Sequence, residues 1–236
     1  MGATVPDRHL VLLPGLLCDH ALWAHQAEHL SGIADVMIGD LSRDDSIVAM
    51  AERILEEAPD TFALAGLSMG GYVAQEIMRQ EPERVERLAL IDTQARADSA
   101  EQVKTRKDLI RIAGMGKFKG VTPRLLPNLI HHDRLDDPAV RDIVLGMAER
   151  IGQEAFVRQQ TAIMGRKDGR GDLHAIRVPT LVLCGRQDIL TPPALHEEMT
   201  EAISGAKLVI VEDAGHLAPL ERPDVVSAAM RSWLGK

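Results

Sequence analysis

The chain has 236 residues, and its 45% hydrophobic and 26% charged residues exclude a disordered, collagen-like or coiled-coil protein. Its net charge of −8 argues against nucleic-acid partners, which require basic surfaces. No apolar run approaches the roughly 20 residues that span a bilayer, and two cysteines are too few for a disulfide framework. We therefore expect a cytoplasmic protein with neither nucleic-acid nor membrane partners.

Six short apolar runs predict β-strands, and amphipathic segments between most of them predict helices. This alternation is typical of an α/β fold with a mostly parallel sheet of about six strands flanked by helices. The runs are apolar at consecutive positions, which indicates strands that are covered on both faces. The predicted strands are residues 10–13, 35–38, 62–65, 87–91, 180–183 and 207–211.

The alternation stops after the fourth strand, and the segment that follows contains no convincing strand signal. It predicts four helices, at 98–113, 122–131, 137–151 and 153–165, with Asp137 and Pro138 as a favourable start for the third. We therefore predict a core at 1–95 and 175–236, interrupted by a helical cap at 96–174. Apolar residues of this cap, Leu125, Leu129, Ile143 and Met147, are expected to line a mainly apolar pocket.

Residues 66–70 read Gly-Leu-Ser-Met-Gly, a G-x-S-x-G pattern. The pattern follows the predicted strand 62–65 and precedes a helical stretch, which is the strand–turn–helix setting that presents a nucleophilic serine. The simpler alternative is a glycine-rich turn with an inert serine. Because a hydroxyl is a weak nucleophile, Ser68 needs a nearby base and a group that orients the base.

His216 is the best candidate for the base among nine histidines, because it lies in a loop just after a strand. His196, in contrast, is expected on a surface helix. Two acids, Asp92 and Asp188, also follow strands, and both satisfy the chain order serine, acid, histidine. A simpler role for Asp92 is to cap the first turn after its strand.

Three segments together resemble the α/β-hydrolase superfamily, in particular its small cap-bearing serine esterases and lactonases. Residues 66–71 are similar to the nucleophile elbow, 185–192 to the acid loop and 215–223 to the histidine loop. The resemblance implies a catalytic triad of Ser68, Asp188 and His216, and it favours Asp188 over Asp92.

The segment 12–17 resembles the oxyanion loop of this superfamily. The resemblance implies an oxyanion hole formed by the backbone N–H groups of Leu16 and Met69. Pro14 stands where the superfamily usually has histidine. The superfamily's first two strands are expected to have no counterpart in this sequence.

The function implied is hydrolysis of a small carboxylic ester, lactone or thioester through an acyl-enzyme on Ser68, without cofactor or metal. Adjacent residues on a helix point apart, so His131, His132 and Asp133 are not expected to bind a metal. Carbon–carbon bond hydrolysis, perhydrolysis and acyl transfer use the same triad and stay open. A non-catalytic protein that binds a small molecule is the alternative from another class. Substrate identity and oligomeric state stay open as well.

Overall fold

The computed structural model describes residues 8–235 and contains a six-stranded, wholly parallel sheet. The alternating pattern predicted the parallel sheet and the number of strands, and the structure adds their spatial order, β2-β1-β3-β4-β5-β6. Since all strands are parallel, their carboxyl ends lie at the same edge of the sheet, where sites form in such folds. The strands are β1 His9–Leu13, β2 Asp35–Ile38, β3 Phe62–Leu67, β4 Val85–Ile91, β5 Thr180–Gly185 and β6 Lys207–Val211.

Helices cover both faces of the sheet. Alternate residues of β1 enter two separate apolar cores: Leu10 and Leu12 face α1 and α8, whereas Val11 and Leu13 face α2 and α3. Burial on both faces explains why the strand residues are apolar at consecutive positions. The helices are α1 Ala24–Leu30, α2 Ile47–Glu57, α3 Met69–Gln80, α4 Ala100–Ile112, α5 Pro138–Met164, α6 Pro193–Ala202, α7 Ala218–Glu221 and α8 Pro223–Trp233.

The predicted strand positions agree with the structure, with small differences at the ends. The second and sixth predicted strands match β2 and β6 residue for residue. β3 extends two residues beyond its predicted end, because Gly66 and Leu67 pair with Leu90 and Ile91 of β4. This extension brings the strand directly to Ser68.

The segment between β4 and β5 is helical, as predicted. α4 begins at a capping box in which the Ser99 side chain accepts the N–H of Gln102 and the Gln102 side chain accepts the N–H of Ser99. α5 starts at the predicted Asp137 cap, and it breaks at Gly152, whose φ is 74°. The break separates the third and fourth predicted helices.

The predicted helix at 122–131 is wrong. Within 122–131 the structure has one short 3-10 turn, Leu126–Asn128, and a second turn, His132–Arg134, follows this range. Pro127 lies in the middle of the predicted helix, where it lacks a backbone N–H and its ring clashes with the preceding turn. The cap boundaries at 96–174 stay a prediction, and residues 1–7 and 236 of the predicted core lie outside the described residues.

Within residues 8–235, no helix is both long enough and apolar enough to cross a membrane.

Candidate active site

Ser68 occupies a sharp turn between β3 and α3. Its backbone has φ 53° and ψ −114°, a conformation that a residue with a side chain rarely adopts. Two hydrogen bonds hold the turn: the Ser68 N–H donates to the Ile91 carbonyl, and the Thr93 hydroxyl donates to the Ser68 carbonyl. The predicted strand–turn–helix setting is therefore present, and it holds the serine in a fixed position.

The glycines of the motif permit the close approach of backbone segments. A Cβ on Gly66 would lie 2.2 Å from the carbonyl oxygen of Gly70, and a Cβ on Gly70 would lie 2.3 Å from the carbonyl oxygen of Leu13. Both obstacles are backbone atoms that cannot rotate away. The turn therefore requires glycine at each of these positions.

We expect Gly66→Ala to lower the free energy of unfolding by about 3 kcal/mol, because the added methyl overlaps fixed backbone atoms. Gly171→Ala is the matched control, since a Cβ there has no heavy atom within 4 Å. Urea unfolding followed by circular dichroism measures both variants. Equal stability of the two would contradict the steric role of Gly66.

Ser68, His216 and Asp188 form a continuous chain of hydrogen-bonding contacts. His216 Nε2 lies 2.9 Å from Ser68 Oγ, and His216 Nδ1 lies 2.8 Å from Asp188 Oδ2. His216 and Asp188 are both buried, with 5% and 2% of their surface exposed. The structure thus brings together the three side chains that the motifs predicted as nucleophile, base and orienting acid, and these roles stay a prediction.

The Asp188 carboxylate is held in its ionised form by its neighbours. Burial raises its pKa, but the adjacent His216 imidazole and hydrogen bonds from His216 and Thr191 outweigh burial and hold the pKa below its usual value. The Thr191 hydroxyl donates to Asp188 Oδ2 at 2.6 Å, and the N–H groups of Leu190 and Thr191 donate to Oδ1. An ionised carboxylate at this position stabilises a protonated imidazole.

Asp92 makes no hydrogen bond with His216 among the described residues, and its predicted role as a cap for the turn after β4 is wrong. Its Oδ1 accepts the N–H of Gly185 at the end of β5, and its Oδ2 accepts the N–H of Ala218 beyond His216. Burial and the nearby Asp188 carboxylate raise the pKa of Asp92 well above its usual value. Asp92 therefore joins the acid loop to the histidine loop.

Glu221 shapes the histidine loop in a way that the sequence analysis missed. Its carboxylate is buried and accepts the backbone N–H groups of Gly215, Leu217 and His131. Burial raises the pKa of Glu221 despite these three donors. The contact with His131 also fixes the segment between β4 and β5 against the loop that carries His216.

His196 is buried, which overturns its predicted place on a surface helix. It lies on α6, is 0% exposed, and its Nε2 accepts the N–H of Thr93 next to the serine turn. The apolar stripe of α6 is too short to reveal that this polar residue faces inward. Burial lowers the pKa of His196 to about 4, against the opposing effect of the Asp188 carboxylate.

This shift predicts a dependence of stability on pH. Between pH 6.5 and about 4, the unfolded chain binds a proton at His196 that the folded protein does not bind. The free energy of unfolding therefore falls by about 3 kcal/mol as the pH is lowered through this window. The stability difference between the wild type and His196→Gln, measured by urea unfolding at pH 7 and pH 4, should change by that amount. A difference that is independent of pH would refute the prediction.

The predicted oxyanion donors lie beside the serine. Among the described residues, neither the Leu16 nor the Met69 backbone N–H donates to a protein acceptor, whereas the Leu17 N–H donates to Gln159 Oε1. Leu17 has a φ of 59°, which turns the chain after Pro14 and Gly15. Two donors without acceptors beside a nucleophile suit a developing negative charge. Their role as an oxyanion hole stays a prediction.

Ser68 and His216 open into a cavity of about 250 Å³. Of the four predicted pocket residues, Leu129 and Met147 line it. Leu125 lines an adjoining cavity of about 390 Å³. Ile143 lines neither cavity and packs against the core instead, so its prediction is wrong. The main cavity also has polar walls, formed by Gln94, Gln102, Arg106 and Gln160.

Cys18 lines the same cavity, but its thiol is a poor candidate for a nucleophile. Burial, reinforced by the neighbouring Asp19 carboxylate, raises the pKa of Cys18 to about 12. The side chain therefore stays a thiol at neutral pH, and thiols are poor nucleophiles. Cys184 is buried as well, and its pKa is also raised to about 12, chiefly by burial.

Two groups of side chains bring potential metal ligands within 4.8 Å of one another: His25, His29 and Asp224, and His131, His132 and Asp133. The α-helix expected at the second group is wrong, because His131 caps a 3-10 turn, His132–Arg134, and the rings of His131 and His132 lie 4.1 Å apart. In that turn, His131 Nδ1 accepts the N–H of Asp133. The absence of a bound metal stays a prediction.

Comparison with known proteins identifies the family. The sequence pattern of the alpha/beta hydrolase family matches residues 10–229. The chain belongs to the alpha/beta hydrolase family. This confirms the resemblance carried by the three motifs.

Individual relatives of this hydrolase are distant. A protein of Mycobacterium tuberculosis, named as a non-heme bromoperoxidase, is 31% identical over 171 residues, which are 71% of this chain and 65% of that relative. A thermophilic esterase from Thermogutta terrifontis is 29% identical with a TM-score of 0.87, covering 98% of this chain and 90% of the other. The enol-lactonase of Burkholderia xenovorans is 26% identical with a TM-score of 0.86, covering 98% and 92%.

Proposed function

We propose that this hydrolase cleaves small carboxylic esters, lactones or thioesters through an acyl-enzyme on Ser68. The observation that carries the proposal is the contact chain from Ser68 Oγ through His216 to Asp188, at the wall of a cavity that a small ligand fits. Membership of the hydrolase family and the names of two structural relatives, an esterase and an enol-lactonase, support the same class of reaction.

In the first half of the reaction, His216 Nε2 removes the proton of Ser68 Oγ while Oγ bonds to the substrate carbonyl carbon. The carbonyl oxygen becomes an oxyanion, which the N–H groups of Leu16 and Met69 stabilise, each by about 3 kcal/mol. The tetrahedral intermediate then collapses. The bond to the leaving oxygen or sulfur breaks, and that atom takes the proton from His216.

In the second half, a water molecule attacks the acyl carbon and gives its proton to His216 Nε2. The same two N–H groups stabilise the new oxyanion. Its collapse breaks the bond to Ser68 Oγ, which recovers its proton from His216, and the carboxylic acid leaves. Asp188 holds the imidazole in orientation throughout and stabilises its protonated form. The sequence of steps requires no cofactor.

Stopped-flow hydrolysis of 4-nitrophenyl acetate tests the proposal, with δ-valerolactone and S-phenyl thioacetate as the lactone and thioester. We expect a burst of about one 4-nitrophenolate per protein molecule, which is the mark of an accumulating acyl-enzyme. Adding methanol tests for acyl transfer, which would form a methyl ester. Adding hydrogen peroxide tests for perhydrolysis, which would form a peracid, whereas hydrolysis forms the carboxylic acid. Failure of the folded protein to turn over any of the three compounds would refute the proposal and favour a non-catalytic binding protein.

A further inference from the structure

The main cavity has an unusual charge for a chain that carries a net charge of −8. Its ionisable lining residues are Cys18, Tyr72, Arg106 and His216, and no carboxylate lines it within the described residues. Arg106 is thus the one permanently charged side chain on this wall. A cation in a partly enclosed, largely apolar cavity attracts an anion more strongly than a cation at the surface does.

The charge of Arg106 is not needed to neutralise its acidic neighbour. Arg106 Nε donates to Asp98 Oδ2 at 2.6 Å, but Asp98 Oδ1 also lies 2.7 Å from Arg166 Nη1. The side chains of Asp98 and Arg166 are 1% and 3% exposed, so they already form a buried pair of opposite charges. The guanidinium groups of Arg106 and Arg166 and the carboxylate of Asp98 together carry a net charge of +1. This charge lies next to the cavity, because Arg106 lines it.

Arg166 is not among the residues that line the cavity. It lies over the Tyr72 ring at 4.3 Å, and it donates to the carbonyl oxygens of Arg96 and Ile163. Its guanidinium therefore belongs to the protein interior. The surplus charge is consequently available at Arg106, whose side chain is 20% exposed.

Hydrogen-bond donors accompany this charge. Arg106 Nε and Nη1 donate to Asp98 and Gln160, whereas Nη2 has no protein acceptor among the described residues. Gln102 and Gln160 line the same cavity, and each uses its Oε1 as an acceptor within the protein. Their Nε2 groups donate to no acceptor in the described part of the chain. Charged and neutral N–H donors on one wall are what a carboxylate requires.

We propose that Arg106 binds a carboxylate at the far end of the substrate's acyl chain, so that the substrate class is the half-esters of dicarboxylic acids. The proposal rests on Ser68 being the nucleophile, since the ester end of the substrate must reach Ser68 in the same cavity. A carboxylate matches the net charge of +1 better than a doubly charged phosphate does. The carboxylate also supplies acceptors for Arg106 Nη2 and the glutamine amides.

The test compares paired substrates of equal chain length. Each 4-nitrophenyl half-ester of a linear dicarboxylic acid, from succinate to suberate, is paired with the 4-nitrophenyl ester of the unbranched monocarboxylic acid of the same length. At the best chain length, we expect the wild type to prefer the half-ester in kcat/KM by at least about tenfold. A charge-assisted hydrogen bond commonly contributes a factor of about 10 to 100. A preference for the uncharged ester at every length would overturn the proposal.

Variants of Arg106 test whether this residue causes the preference for half-esters. Arg106→Gln should lower the half-ester preference by about 10- to 100-fold while the uncharged ester is still hydrolysed, and Arg106→Lys should restore part of it. Arg111→Gln is the matched control, because Arg111 lies on the same helix and is exposed. An unchanged preference in Arg106→Gln would overturn the inference and leave the proposed function standing. If no ester of either series is turned over by the wild type, the proposed function itself fails.

Arg106→Gln is expected to fold, because Arg166 still neutralises Asp98. The rate with the uncharged ester reports folding and the catalytic groups in the same sample. If this variant is nevertheless unfolded, the half-ester preference of the wild type, measured at increasing NaCl concentrations, serves as the test instead. Salt should lower the half-ester preference if an ion pair causes it, and a preference that does not respond to salt would count against Arg106.

Discussion

Ser68→Ala is expected to lower kcat for ester hydrolysis by about 10⁴- to 10⁶-fold, because the alanine side chain cannot form the acyl-enzyme. The fold should not change, since the small methyl group fits where the serine Cβ lies. Steady-state kinetics with 4-nitrophenyl acetate measures the loss, and thermal unfolding checks the fold. Loss of activity by less than about a hundredfold in a folded variant would mean that another group attacks the substrate.

The three side chains should also act as one unit. His216→Ala alone is expected to lower kcat about as much as Ser68→Ala, and the double variant should be no slower than either single variant. The reason is that the imidazole has no function without the hydroxyl that it deprotonates. Additive losses in the double variant would show that His216 acts independently of Ser68.

Asp188→Asn is expected to lower kcat by about 10⁴-fold, because the amide favours the wrong imidazole tautomer and cannot stabilise the protonated ring. Asp92→Asn is the matched comparison, since Asp92 was the other acid compatible with the chain order. It should lower kcat by less than about tenfold. It should also destabilise the fold by about 1 to 3 kcal/mol, because an amide cannot accept both N–H groups.

The comparison between the two aspartates is decided by steady-state kinetics together with urea unfolding of both variants. A greater kcat loss in Asp92→Asn than in Asp188→Asn would transfer the role of orienting acid to Asp92. Thr191 adds to the expected loss of kcat in Asp188→Asn, because its hydroxyl and its N–H both donate hydrogen bonds to the Asp188 carboxylate.

The features that depend on local sequence were predictable. Strands buried on both faces are apolar at consecutive positions, and this pattern predicts the bounds of β2 and β6 without error. The glycines of 66–70 reflect a turn in which a Cβ at either position would meet backbone atoms at 2.2 to 2.7 Å. Ser68, Asp188 and His216 each follow the end of a parallel strand, and this position together with the chain order predicted that they lie at the same edge of the sheet.

The features that depend on contacts between distant residues were not predictable. Asp92, Glu221 and His196 are buried polar residues, and each has a hydrogen-bond partner that is distant in the sequence: Gly185, His131 and Thr93, respectively. A polar residue in a short element carries no periodic signal that distinguishes burial from exposure. The helix predicted at 122–131 failed for a local reason that was present in the sequence, since Pro127 interrupts it.

Intact mass spectrometry after treatment with a fluorophosphonate tests the central claim, an activated Ser68, most directly. The probe reacts with serine hydroxyls that a neighbouring base activates. We predict a single adduct on the wild type and none on Ser68→Ala, with Ser99→Ala, an exposed helix cap, labelled like the wild type. No adduct on the folded wild type, or an adduct that persists in Ser68→Ala, would contradict an activated Ser68.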